Sequence, residues 1–113
     1  MTLEEYGKKA ITTLTSDHAY GDLTPALMAQ ILGLVGESGE IAEKVKKLLR
    51  DKDGKITDEV RAELVKELGD VLWYINVVAS MLGSSIDEVA AKNLEKVLSR
   101  KERGVTKGSG DNR

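Results

Sequence analysis

Cysteine and phenylalanine are both missing from the 113 residues, and proline and tryptophan occur once each. Without cysteine there is no disulfide framework and no thiolate metal site. Aromatic residues make up only 4% of the chain, so a core has to be built from Leu, Val, Ile and Ala, which suits packed helices better than strands. Charge of one sign is not in excess either. Seventeen Lys plus Arg against nineteen Asp plus Glu give a formal charge of -2, which lacks the basic field that nonspecific nucleic-acid binding requires. The charged start MTLEEYGKK carries no apolar run of signal-peptide or membrane-spanning length, so no membrane partner and a cytoplasmic location are expected.

A hydrophobic share of 41% beside 32% charged residues fits one globular domain in a chain of this length. Thr2 with Glu5 forms a capping box ahead of Leu3 to Leu14, and the polar stretch from Thr15 to Leu23 reads as a loop. Thr24 as N-cap and Pro25 at the first helical position open a long second helix. Leu27, Ile31, Leu34, Ile41, Val45 and Leu48 keep helical spacing along it, and it should end near Asp51. The turn Asp51-Lys52-Asp53-Gly54-Lys55 leads to Thr57, which caps a third helix carrying Val60, Leu64, Leu68, Val71, Ile75 and Val78. Gly83 stops it, and Ser85 with Glu88 caps a fourth helix with Ile86, Val89, Ala90, Leu94 and Val97 on one face. The expectation is an all-α, four-helix bundle-like domain over residues 1–103 with a polar tail over 104–113. So few elements leave a thin core, which predicts a homo-oligomer, either a dimer or a dimer of dimers.

The chemistry concentrates in two acidic pairs. The second helix carries Glu37-Ser38-Gly39-Glu40 and the third carries Glu67-Leu68-Gly69-Asp70, each pair at i, i+3 and so on one helical face. Solvated acids are usually balanced by i, i+4 cations, and Glu40 with Lys44 and Lys66 with Asp70 have that spacing. Glu37 and Glu67 have no Lys or Arg three or four residues away, only acidic neighbours, and that repulsion calls for a cation from elsewhere. Magnesium, which takes carboxylate oxygens and commonly meets phosphate oxygens at the same time, is the natural candidate. Gly33, Gly36, Gly39 and Gly69 each cost helix stability and predict close approach of the two helices.

These residues carry a family resemblance. The segments GLVGESGEIAEKVKK, ELVKELGDVLWYI and KNLEKVLSRKERG resemble successive helices of the MazG-like all-α nucleotide pyrophosphohydrolases. The family's E-x-x-E and E-x-x-D fall on Glu37, Glu40, Glu67 and Asp70. The resemblance implies that these four bind Mg²⁺, with Mn²⁺ as a substitute, and cleave a nucleoside triphosphate to monophosphate and pyrophosphate by metal-activated water.

Asn93, Lys96 and Arg100 form a polar strip on the fourth helix. Interhelical hydrogen bonding explains such a strip as well as function does, and the resemblance assigns it to phosphate and sugar contacts. Lys44 and Lys47 follow Glu40 on the same flank and are candidates for neutralising phosphates. Trp73 and Tyr74 lie three and four residues past Asp70; Trp73 is a candidate for stacking on a base, although an aromatic at this spacing is more often core. Lone His18 receives no role, and the tail from Lys107 to Arg113 either frays or folds over phosphates. An EF-hand is excluded because Leu49 and Val60 would occupy its acidic positions, a di-metal oxidase for want of E-x-x-H pairs, and a P-loop for want of its motif. Two alternatives remain: a non-catalytic helical dimer acting as a regulatory or interaction module, and a related all-α enzyme acting on phosphoribosyl-ATP.

Overall fold

The computed structural model describes residues 1–15 and 21–113. His18 and most of the expected loop therefore lie outside the described residues. The elements run α1 (Leu3–Ile11), α2 (Pro25–Asp51), α3 (Asp58–Met81) and α4 (Ile86–Glu102), with no strand among the described residues. The all-α, four-helix expectation holds.

Each start is built as its capping residue dictates. The Thr2 hydroxyl accepts from the Glu5 amide at 3.1 Å while the Thr2 amide donates back to Glu5 Oε2 at 2.7 Å, a complete capping box. At α4 only half of the expected box forms. Ser85 accepts from the Glu88 amide, but the Glu88 carboxylate takes the Ser84 hydroxyl and Lys92 instead. α1 is shorter than expected because the Thr12 and Thr13 hydroxyls donate to the Lys9 and Ala10 carbonyls, both at 2.7 Å, which competes with a further helical turn. α2 ends where Gly54, at φ +71°, turns its amide back onto the Leu48 carbonyl at 3.0 Å.

Among the described residues α2 and α3 form a helical hairpin packed along its length, α4 touches α3 alone, and α1 packs against no other helix. Of the glycines read as close-approach positions, only Gly33 serves that purpose within one chain. A Cβ there would overlap the Tyr74 ring, which lies across α2 at this point. Among the described residues, Gly36, Gly39 and Gly69 have nothing beyond their own stretch of helix within 4 Å of where a Cβ would stand.

The apolar stripes are only partly covered. Among the described residues Ala79 is the one buried hydrophobic side chain, whereas Leu32 (70%), Val35 (64%), Val65 (60%) and Leu68 (57%) stand exposed. The radius of gyration is 19.9 Å, well above the roughly 13 Å of a compact domain of about 100 residues. Leu94 and Val97, expected to face a core, are exposed as well because α4 leaves the hairpin instead of lying along it. No helix among the described residues is long and apolar enough to cross a membrane.

Candidate metal centre

Packing of α2 on α3 carries the chemistry. With Tyr74 seated over Gly33, Glu37 on the next turn of α2 faces Glu67 and Asp70 on α3. One carboxylate oxygen from each of Glu37, Glu67 and Asp70 lies within 4.8 Å of the others. Glu37 and Glu67 are half-buried and Asp70 is exposed. Partial burial pushes the Glu37 carboxyl above the ordinary carboxylate range, and repulsion from Glu40, Asp70 and Glu67 adds to it. The protein has gathered like charges where they destabilise each other, and the donor set is all oxygen, which suits a hard divalent cation.

Among the described residues one cation reaches this cluster, from across the hairpin. Lys44 Nζ lies 3.4 Å from Glu67 Oε1 and 3.7 Å from Glu63 Oε2. Glu67 thus lacks a cation on its own helix but not on its neighbour, a pairing that intrahelical spacing cannot reveal. Glu40 is exposed and stands outside the converging trio. It lines a shallow groove with Glu43, Lys44 and Lys47, and Lys47 approaches Glu43 at 4.0 Å.

The strip on α4 is engaged elsewhere. Arg100 is buried, and its Nη2 donates to the Asp111 carbonyl at 3.0 Å, the Gly110 carbonyl at 3.3 Å and Asp111 Oδ1 at 3.4 Å. Lys96 Nζ also meets Asp111 Oδ1 at 3.4 Å, and these two cations hold the Asp111 carboxyl below the usual range, Lys96 contributing most. The tail reinforces itself: Arg113 donates to the carbonyls of Val105, Thr106 and Gly110, and Arg103 donates to the Arg113 carbonyl at 2.9 Å. Within one chain the tail therefore folds onto the last turns of α4. Asn93 is exposed, and among the described residues no hydrogen bond or ion pair joins Asn93, Lys96 or Arg100 to the acidic trio.

Trp73 is 56% exposed and meets Tyr74 edge-on, with ring centroids 4.9 Å apart. Sequence reading missed Glu63, Asp111 and Arg113 as members of these clusters. Glu63 was within reach, since it stands one turn before Glu67 on the same face. Asp111 and Arg113 were not, because their partners lie up to fifteen residues away across a non-helical segment.

The model of the MazG nucleotide pyrophosphohydrolase domain matches residues 26–105. The Gene 37 protein of Mycobacterium phage L5 is 60% identical over 82 residues, covering 73% of this chain and 72% of that protein. The uncharacterized protein YvdC of Bacillus subtilis strain 168 is 36% identical over 74 residues, covering 61% of this chain and 70% of its own. No solved structure matches.

Proposed function

The chain belongs to the MazG nucleotide pyrophosphohydrolase family, and from that premise we propose that it hydrolyses a nucleoside triphosphate, ribo or deoxy, to the monophosphate and pyrophosphate with Mg²⁺ or Mn²⁺. The observation that carries the proposal is the convergence of Glu37, Glu67 and Asp70 within 4.8 Å. These three would hold the ion, with Glu40 one turn further along α2 as a fourth carboxylate. When bound, the ion supplies neutralisation of the triphosphate and a water made acidic enough to attack. Water adds to the α-phosphorus, the bond to the oxygen bridging α and β phosphorus breaks, and pyrophosphate leaves.

The protein's own residues orient and neutralise. Lys44 and Lys47 stand on the flank of the acids and would face phosphate oxygens. Asn93, Lys96 and Arg100 are proposed sugar and phosphate contacts from α4. For Lys96 and Arg100 that role requires the Asp111 carboxylate to give way to phosphate, the two being competing anions for the same cations. The exposed Leu32, Val35, Val65 and Leu68 support a homo-oligomer in which a second copy covers the open faces of the hairpin. Sedimentation should show a dimer or tetramer at micromolar concentration, and a stable monomer would refute this part.

A screen of common NTPs and dNTPs, together with phosphoribosyl-ATP, tests the reaction by its products. Monophosphate and pyrophosphate in equal amounts are expected, with solvent oxygen-18 entering the monophosphate. Release of orthophosphate and a nucleoside diphosphate overturns the assignment.

A further inference from the structure

Next to the acidic trio, toward the turn that joins α2 to α3, lies a cleft of about 310 Å³ lined by Lys44, Lys47, Leu48, Asp51, Lys52, Val60, Glu63 and Leu64. Leu48, Val60 and Leu64 contribute apolar lining and Lys44, Lys47 and Lys52 contribute three cationic side chains. Two acidic residues line it as well, but each is engaged. Asp51 accepts two hydrogen bonds from the Arg50 guanidinium, both at 2.8 Å, and Glu63 faces Lys44. With Asp51 balanced by Arg50, the cleft presents a net positive lining beside a net negative trio. Lys44 belongs to both, lining the cleft and reaching Glu67 Oε1 at 3.4 Å.

That double membership has a physical consequence. An ammonium 3.4 Å from Glu67 Oε1 repels a divalent cation that enters the trio, because both compete for the same carboxylate. Glu63 and the cleft are the neighbouring places that Lys44 also reaches. Resting on the hydrolase reading above, we propose that this cleft is the subsite for the diphosphate end of the substrate and for the pyrophosphate released from it. Lys44 is the residue that couples the two halves. It neutralises Glu67 when the trio lacks a cation and faces the pyrophosphate when the trio holds one. Lys47 and Lys52 provide the fixed part of the anion site.

The signature is a pair of opposite effects from one substitution. Lys44→Met removes a competitor from Glu67 and an ammonium from the cleft, so it should tighten Mn²⁺ binding several-fold and weaken inorganic pyrophosphate binding about tenfold. Lys47→Ala removes an ammonium that lines the cleft and pairs with Glu43, not with the trio, and should weaken pyrophosphate binding far more than it changes Mn²⁺ affinity. Mn²⁺ binding is read by electron paramagnetic resonance in the absence of nucleotide, pyrophosphate binding by calorimetry at fixed free Mg²⁺, and folding by circular dichroism. Unchanged or weaker Mn²⁺ binding in Lys44→Met overturns the exchange. Pyrophosphate binding that is undetectable at millimolar concentration in the wild type, or unaltered in both variants, overturns the subsite while the hydrolase reading stands. A wild type that binds no Mn²⁺ and cleaves no nucleotide removes that reading, and the proposed exchange falls with it.

Discussion

The α2–α3 hairpin and the α4 C-terminus with its tail both concentrate charge, yet they treat it in opposite ways. At the hairpin Glu37, Glu67 and Asp70 crowd together with Lys44 as the one close ammonium among the described residues, and the Glu37 carboxyl is raised by burial and repulsion. At the tail, Arg100, Arg103 and Arg113 are met by backbone carbonyls and Asp111, whose carboxyl is lowered by Lys96 and Arg100. A charge cluster largely satisfied from within, as this one is apart from the buried Arg100 Nε, which has no hydrogen-bond partner among the described residues, holds a chain segment in place. One that does not satisfy itself is poised for something from outside, and this is the physical distinction between a clasp and a site.

The contrast can be broken most forcefully at Asp70. Asp70→Asn should lower nucleotide turnover on the order of a thousandfold, because the bound ion contributes several kcal/mol of charge stabilisation in the transition state, while the helical circular dichroism stays unchanged. Turnover within a factor of a few of the wild type would show that the trio is an ordinary acidic surface. At the other end, Arg100→Met keeps much of the side-chain volume but strips donors from the Gly110 and Asp111 carbonyls. It should cost about 1 to 3 kcal/mol in thermal unfolding and open the tail to proteolysis near Lys107, with Mn²⁺ affinity untouched. Lost Mn²⁺ affinity in that variant would merge the two regions into one site.

Two smaller effects sharpen the comparison within the hairpin. Gly33→Ala places a methyl against the Tyr74 ring and should cost about 1 to 2 kcal/mol through overpacking. Gly39→Ala meets open space and should gain about 0.5 to 1 kcal/mol from helix propensity. A loss at Gly39 measured by thermal melts would instead place a second copy of the chain against it. The smallest effect is a dependence on pH. The folded state holds the Glu37 proton more tightly than the unfolded chain does, so its contribution to stability is present at acid pH and declines as pH rises from the ordinary carboxyl range through the raised value. Melting without divalent cation should follow that sign, and Glu37→Gln should flatten the profile.

Much of the fold was readable because its signals are local. Thr2, Thr24, Thr57 and Ser85 each cap the helix expected of them, and the i, i+3 acids fall on facing helices. What escaped depends on contacts between elements. Lys44 meets Glu67 across the hairpin, Asp111 folds back onto Arg100, and α4 leaves Leu94 and Val97 open to solvent. Periodicity says which face of a helix is apolar, but not whether the covering partner belongs to the same chain. The same limit applies to Gly36, Gly39 and Gly69, whose cost to the helix was visible while the contact that would explain it was not.

Divalent-cation binding by the acids of the hairpin is best tested at Glu67, which is half-buried and shared between the trio and Lys44. Mn²⁺ titrations of the wild type and Glu67→Gln, followed by electron paramagnetic resonance without nucleotide, measure it directly. The account predicts saturable binding to the wild type and affinity at least about tenfold weaker in Glu67→Gln, with the variant still folded. Equal affinity in the two proteins would contradict it.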